Sequence, residues 1–134
     1  MTVHYVDSGA WSKLLVEEGE SQAMANFVDA ARLSGDVFIS SQLLATELHR
    51  LGVRIGVERA RVEPALDQVA LILPDATIFC LAGLLPGATL RTLDALHVAA
   101  ALDPEADDFI TYDHRQGLDA EAAGLSIVAP GVSA

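Results

Sequence analysis

Four acids stand at positions where a carboxylate could do chemistry. Asp7 closes the apolar run "TVHYVD", and Asp113 closes "DDFITYD". Two more interrupt helical apolar stripes. Glu47, in "SSQLLATELHRL", lies four residues after Leu43 and three after Leu44, on the inner flank of the stripe Leu43, Leu44, Leu48 and Leu51. Asp94, in "LRTLDALHVAAAL", lies two residues past Thr92, in the first turn of a helix otherwise composed for a core. Each has a plain structural reading. A strand-end Asp caps the next helix, an acid at the edge of a stripe turns to water, and a first-turn Asp faces the helix dipole. The dipole does not explain why the sequence around Asp94 is so apolar. A buried acid needs a partner, and a metal ion is a good one. If the four met, a carboxylate set without His or Cys would suit Mg²⁺ or Mn²⁺ rather than zinc. Such an ion can position a phosphodiester, stabilise its developing charge and activate water.

Whether they meet depends on the elements that carry them. "TVHYVD", "DVFISS", "ALILP", "DDFITYD" and "LSIVAP" read as short strands. Between them fall helices: "AWSKLLVEE" capped by Ser8 and ended by Gly19, "SQAMANFVDAARLSG" capped by Ser21, and "SQLLATELHRLGVRIG". There follow "VERARVEPALDQV", kinked or started at Pro64, "DATIFCLAGLL" opened by Asp75, and "TLRTLDALHVAAALD". "HRQGLDAEAAG" reads as a loop and short helix closed by Gly124. Alternating strands and helices imply an α/β fold, a parallel sheet covered on both faces. Ligands in such sheets bind outside the carboxyl ends of the strands, where strand order reverses. Asp7 and Asp113 would then share one edge.

The chain has 134 residues, about half of them apolar, which fits a single domain over 1–134 with a sizeable core. No apolar run reaches the roughly 20 residues that span a bilayer, and the start lacks the features of a signal peptide. Cys80 is the lone cysteine, so no internal disulfide forms; it reads as a small buried hydrophobe. A cytoplasmic protein without a membrane partner is expected. The formal charge of −11 argues against a surface built wholly for nucleic acid. It permits a concentrated acidic site or a basic partner. Lys13, Arg50, Arg91 and Arg115 lie near the acid-bearing segments, where each is either a phosphate contact or a solvated charge.

The segments "YVDSGAWSKLL", "ISSQLLATELHR", "LRTLDALHVAAAL" and "FITYDHRQGLDAEAAGLSIVAP" resemble, in order and over nearly the whole chain, PIN-domain ribonucleases, and most closely the VapC toxins of bacterial type II toxin–antitoxin pairs. "LRTLDALHVAAAL" followed by "FITYD" is the specific part; Asp7 before a small residue is weak alone. The resemblance implies a PIN-like α/β/α sandwich around a five-stranded parallel sheet. It assigns catalysis and metal binding to Asp7, Glu47, Asp94 and Asp113, with Asp113 able to act through water. It implies a Mg²⁺- or Mn²⁺-dependent endoribonuclease whose RNA substrate is tRNA or rRNA, a homodimer, and a cognate VapB-type antitoxin whose C-terminal segment covers the site. Ser8 and Thr111 match positions where the family keeps a small hydroxyl beside an acid; both also have ordinary roles, as a cap and as a strand residue. The stretch from Val53 to Leu73 is less typical of the family.

His97, one turn after Asp94, is either a satisfied packing residue or a group that bonds an acid or touches substrate. His4, His49 and His114 show no metal-ligand spacing, and Tyr5 and Trp11 read as packing groups. A phosphoacceptor receiver domain would need an acidic neighbour for Asp7, and a dehalogenase-type phosphatase would need an acid where Gly9 stands. The alternative from another class is a non-catalytic PIN-fold module that binds an antitoxin-like partner.

Overall fold

Neighbouring residues of a strand face opposite sides of its sheet, and here that alternation divides the molecule into two cores. In the computed structural model, which describes residues 1–132, the strands are β1 (Val3–Val6), β2 (Val37–Ser41), β3 (Ala70–Ile72), β4 (Asp108–Ile110) and β5 (Ile127–Val128). All pair in parallel, in the order β3-β2-β1-β4-β5. Tyr5, Ile39 and Phe109 face one core, against α5 (Ala76–Leu84), α6 (Thr92–Leu102) and α7 (His114–Ala122). Val6, Phe38 and Ile110 face the other, against α1 (Ser8–Trp11), α2 (Ser21–Leu33), α3 (Leu43–Ile55) and α4 (Arg59–Leu66). The expected α/β/α sandwich is present. Among the described residues no helix is long and apolar enough to cross a membrane.

Helix α6 is buried at every position from Ala95 to Ala101. Its run of alanines lets it lie close to the sheet and to α5. Helix α3 shows the other pattern, with Leu44, Leu48 and Gly52 forming one buried stripe. A side chain at Gly52 would meet the Val57 carbonyl oxygen at 2.9 Å, so the bare backbone is what lets the turn into α4 pass so close. Gly56, at φ +79°, ends α3 in the left-handed conformation that glycine adopts without strain.

Several local expectations change. Asp7, not Ser8, caps α1, accepting the Ala10 N–H through Oδ1 at 2.8 Å. That helix tightens to a 3₁₀ turn at Ser12–Leu14 and stops short of Gly19. Ser21 is no cap: its hydroxyl donates to the Val16 carbonyl and accepts the Glu18 N–H, pinning the loop before α2. Of the two places open to Pro64, the structure takes the one inside α4 rather than at its start. The expected loop at His114 is helix from its first residue, because Asp113 Oδ1 accepts the Gln116 N–H. Cys80 is exposed. The buried face of α5 runs through Ile78 and Ala82, and a residue two positions from each points away from it. Trp11 and Tyr5 are packing groups as expected, both fully buried, with the Trp11 indole N–H donating to the Ala65 carbonyl at 2.8 Å.

Candidate active site

The sequence breaks its order at β1. From there the chain builds outward through β2 and β3, then returns to place β4 and β5 on the other side. The crevice at the carboxyl ends of β1 and β4 is therefore the switch point. Asp7 follows the last residue of β1, and Asp113 lies three residues past the end of β4, opening α7. Asp94 sits in the first turn of α6. These three acids line one cavity of about 380 Å³, with Ser8, Gly9, Ser12, Lys13, Glu18, Tyr112 and Gln116. Glu47, in the second turn of α3, opens into an adjoining groove of about 450 Å³ that shares Ser8, Gly9 and Ser12 with the first. The topology thus brings three of the expected acids together and sets the fourth beside them.

The acids differ in how fully they are satisfied. Asp7 is 5% exposed. Its Oδ1 caps α1, and its Oδ2 accepts the Thr111 hydroxyl at 2.5 Å. Burial pushes its carboxyl up to about 6, against the pull of those two donors and with a further push from Asp94. Asp113 spends one oxygen on the α7 cap. Asp94 has no side-chain hydrogen bond or ion pair among the described residues; burial, and then the charge of Asp113 and Glu47, hold its carboxyl above the usual range, although His97 and Arg91 draw it down. Ser8 and Thr111 both serve the acids. The Ser8 hydroxyl donates to Glu47 Oε2 at 2.9 Å. Thr111 holds Asp7, and its oxygen also lies 3.1 Å from the Gln116 side-chain amide and accepts the Asp113 N–H. The other oxygen of Glu47, Oε1, is 2.6 Å from His97 Nε2.

The basic residues sort into two groups. Lys13 is neutralised by Glu18 and Glu20 and lies over the Tyr112 ring, so it is tied down rather than offered to a phosphate. Arg32 and Arg61 donate to backbone carbonyls, and Arg59 pairs with Glu63. The other half of the eight cationic side chains has no such partner among the described residues. Arg50 and Arg54 line the groove of Glu47. Arg91 and Arg115 line a cavity of about 290 Å³ with Asp94, Asp113, Gln116 and Asp119. Two residues here escaped the sequence reading. Arg54 lies seven residues after Glu47 and four after Arg50, a spacing that puts all three on one helix face. Gln116 had no comparable signal, since its place depends on where α7 begins.

Among the described residues no three acidic, histidine or cysteine side chains converge closely enough to enclose a metal ion. The donor set still fits a hard divalent cation. The groups are all carboxylates, three share a cavity, and Asp94 lacks any internal partner. Mg²⁺ in particular keeps several waters and takes one or two carboxylates together with substrate phosphate, rather than a cage built wholly of protein.

Residues 4–119 match the family model of the PIN domain. Ribonuclease VapC47 of Mycobacterium tuberculosis is 35% identical over 133 residues, covering 95% of this chain and 96% of its own. The crystal structure of M. tuberculosis VapC20, a Sarcin-Ricin loop cleaving toxin, superposes with a TM-score of 0.70 at 18% identity, covering 95% of this chain and 99% of that one. VapBC2 from Rickettsia felis, bound to a DNA fragment from its promoter, gives 0.72 at 14% identity, covering 96% and 99%. The chain belongs to the PIN domain family, and its resemblance to the VapC ribonucleases extends over nearly its full length.

Proposed function

We propose that this chain is a divalent-metal-dependent endoribonuclease acting in the cytoplasm as the toxin of a VapBC-type pair, with tRNA or rRNA as its substrate. The observation that carries the reading is Asp94: a half-buried carboxylate without an internal partner, sharing one cavity with Asp7 and Asp113 and feeling the charge of Glu47. Asp7, Glu47 and Asp94 would hold Mg²⁺ or Mn²⁺, with Asp113 in support. When bound, such an ion lowers the pKa of water and offsets charge on the scissile phosphate.

The chain's own groups do the rest. Thr111 and the Ala10 N–H fix both oxygens of Asp7. Ser8 holds one oxygen of Glu47. Arg91 and Arg115 on one side, and Arg50 and Arg54 on the other, offer cations to the phosphates flanking the cut. Cleavage leaves a 5′-phosphate and a 3′-hydroxyl. The net charge of −11 suits a basic antitoxin segment, whose cations would meet the acids of the Asp7 cavity. Exposed apolar residues at the end of α3 (Val53, Ile55) and on α5 (Phe79, Leu84) support a homodimer.

The test is to incubate antitoxin-free protein with total RNA, including tRNA, in Mg²⁺, in Mn²⁺ and in EDTA, beside Asp7→Asn. Discrete cleavage that needs both metal and Asp7 is expected. RNA left intact by the wild type across a full RNA pool favours a binding module instead.

A further inference from the structure

One buried chain of polar groups has no part in the scheme above. Tyr5 on β1 and His97 on α6 are 0% and 1% exposed, inside the more apolar of the two helical layers. The Ser41 N–H, at the end of β2, donates to the Tyr5 hydroxyl at 3.0 Å. That hydroxyl lies 2.7 Å from His97 Nδ1, and His97 Nε2 lies 2.6 Å from Glu47 Oε1. The directions of the protons follow from what each end can accept. A carboxylate oxygen only accepts, so Nε2 carries a proton and donates it. The Tyr5 hydroxyl, which also receives the Ser41 N–H, closes the chain on Nδ1. Both ring nitrogens are thereby engaged, and the ring orientation is fixed.

A packing residue would not need this. Leucine would fill the same volume in "LDALHVAAAL" without two polar atoms to satisfy. The geometry instead ties a flexible glutamate on α3, 24% exposed at its side chain, to the backbone of the central sheet through two buried rings. With Ser8 on the second oxygen, both oxygens of Glu47 are fixed, and each keeps a further lone pair for a cation.

We propose that His97, seated by Tyr5, is a positioning residue that presents the Glu47 carboxylate to the divalent ion. The proposal rests on the reading of the acids as a metal site, and it assigns His97 no contact with RNA. Groups that orient a ligating side chain typically contribute 10–100-fold to metal affinity or activity.

The experiment measures Mn²⁺ binding without RNA, by the loss of the free-ion electron paramagnetic resonance signal, alongside RNA cleavage and thermal melting. Wild type, His97→Leu, His97→Gln, Tyr5→Phe and Asp7→Asn are compared. His97→Leu is expected to weaken Mn²⁺ binding about 10–100-fold and to lower kcat at limiting metal, with recovery as Mn²⁺ rises. His97→Gln places an amide N–H near the position of Nε2 and is expected to stay within about threefold of wild type. A purely structural His97 would lower the melting temperature of the leucine variant and leave its Mn²⁺ affinity unchanged, which overturns the proposal. Should His97→Leu not fold, Tyr5→Phe carries the test, since it removes one hydroxyl and keeps the ring: a loss of about threefold or more is expected, and wild-type affinity overturns the relay. Wild type binding Mn²⁺ no better than Asp7→Asn brings down the metal reading itself, and the relay with it; that failure shows in the wild-type arm alone.

Discussion

The sheet carries acids at both ends, and the two ends treat them differently. At the amino-terminal edge, His4 lies between Asp108, at 2.8 and 2.9 Å from Nδ1, and Asp36, at 3.0 Å from Nε2. The Thr2 and Val3 backbone N–H groups donate to Asp36 and Asp107. The imidazole stacks on Phe38 and meets Phe27 edge-on. Each of these carboxylates has an internal donor. At the carboxyl-terminal edge, Asp7 is buried with only the Thr111 hydroxyl and the Ala10 N–H on its oxygens, Glu47 meets His97 and Ser8, and Asp94 has no side-chain partner among the described residues. A cluster of acids marks nothing by itself. What separates the two ends is how fully their carboxylates have been given internal partners.

The strongest way to break this contrast is Asp7→Asn. An amide keeps the cap on α1, because asparagine caps as well as aspartate, and its NH₂ can donate to the Thr111 oxygen. The fold should survive, and melting should be unchanged or raised, since an uncompensated buried charge is removed. RNA cleavage should fall by about a thousandfold, the equivalent of about 4 kcal/mol of lost stabilisation in the transition state. Melting curves and a cleavage assay on the same preparation check both halves.

His4→Leu should do the opposite. It leaves Asp36 and Asp108 without their shared partner, and stability should drop by about 2 kcal/mol, roughly 8 °C in melting temperature. Cleavage per folded molecule should be unchanged. A His4 variant with normal melting but impaired cleavage would erase the distinction between the two ends.

The contrast also explains what could be read in advance. Strand-end acids in a parallel fold must share an edge, so Asp7 and Asp113 were legible from alternation alone. Glu47 and Asp94 were legible as acids in apolar surroundings. Reading them as a set rests on the family resemblance, and the chain's membership of the PIN domain family is what the match over residues 4–119 shows. The cap roles of Asp7 and Asp113 hold alongside their place in the cavity, so the plain and the chemical readings were never exclusive. His97 could be named but not resolved, because its two partners lie 92 and 50 residues away. His4 was passed over for the same reason: Asp36 and Asp108 meet it only once β1, β2 and β4 are side by side. Lys13 looked available because nothing in its immediate spacing shows that the loop before α2 folds Glu18 and Glu20 back onto it.

A smaller effect sharpens the contrast on the cationic side. Arg91→Ala should raise KM for RNA severalfold with kcat little changed, and should lower the slope of log K against log salt by about 0.7, the value for one phosphate contact on a single strand. Arg59→Ala, which breaks an exposed pair with Glu63, should leave both alone. Filter binding of a catalytically silent Asp7→Asn background at several salt concentrations separates the two. Equal slopes in Arg91→Ala and its parent would mean that this arginine is a solvated surface charge.

The least effect is a pH dependence of stability, and its sign follows from His4. Burial lowers the basicity of that imidazole, but the hydrogen bonds and charges of Asp36 and Asp108 outweigh it, so its pKa rises above the ordinary 6.5. Asp36 moves the other way, drawn down by the Thr2 N–H and by His4, while burial pushes Asp108 up and His4 draws it only part of the way back. A raised histidine stabilises the fold fully below 6.5 and loses that contribution as pH climbs through its folded value. Asp7, pushed up to about 6, titrates below that window. Melting temperature should therefore decline by a few degrees, about 1.4 kcal/mol per unit of pKa shift, as pH rises from 6.5 toward 9. His4→Leu should flatten that decline, and Asp7→Asn should leave it in place. A slope that survives in His4→Leu would mean that the neutralised end of the sheet is held by its backbone donors alone, and that the imidazole between the two carboxylates is packing rather than counter-charge.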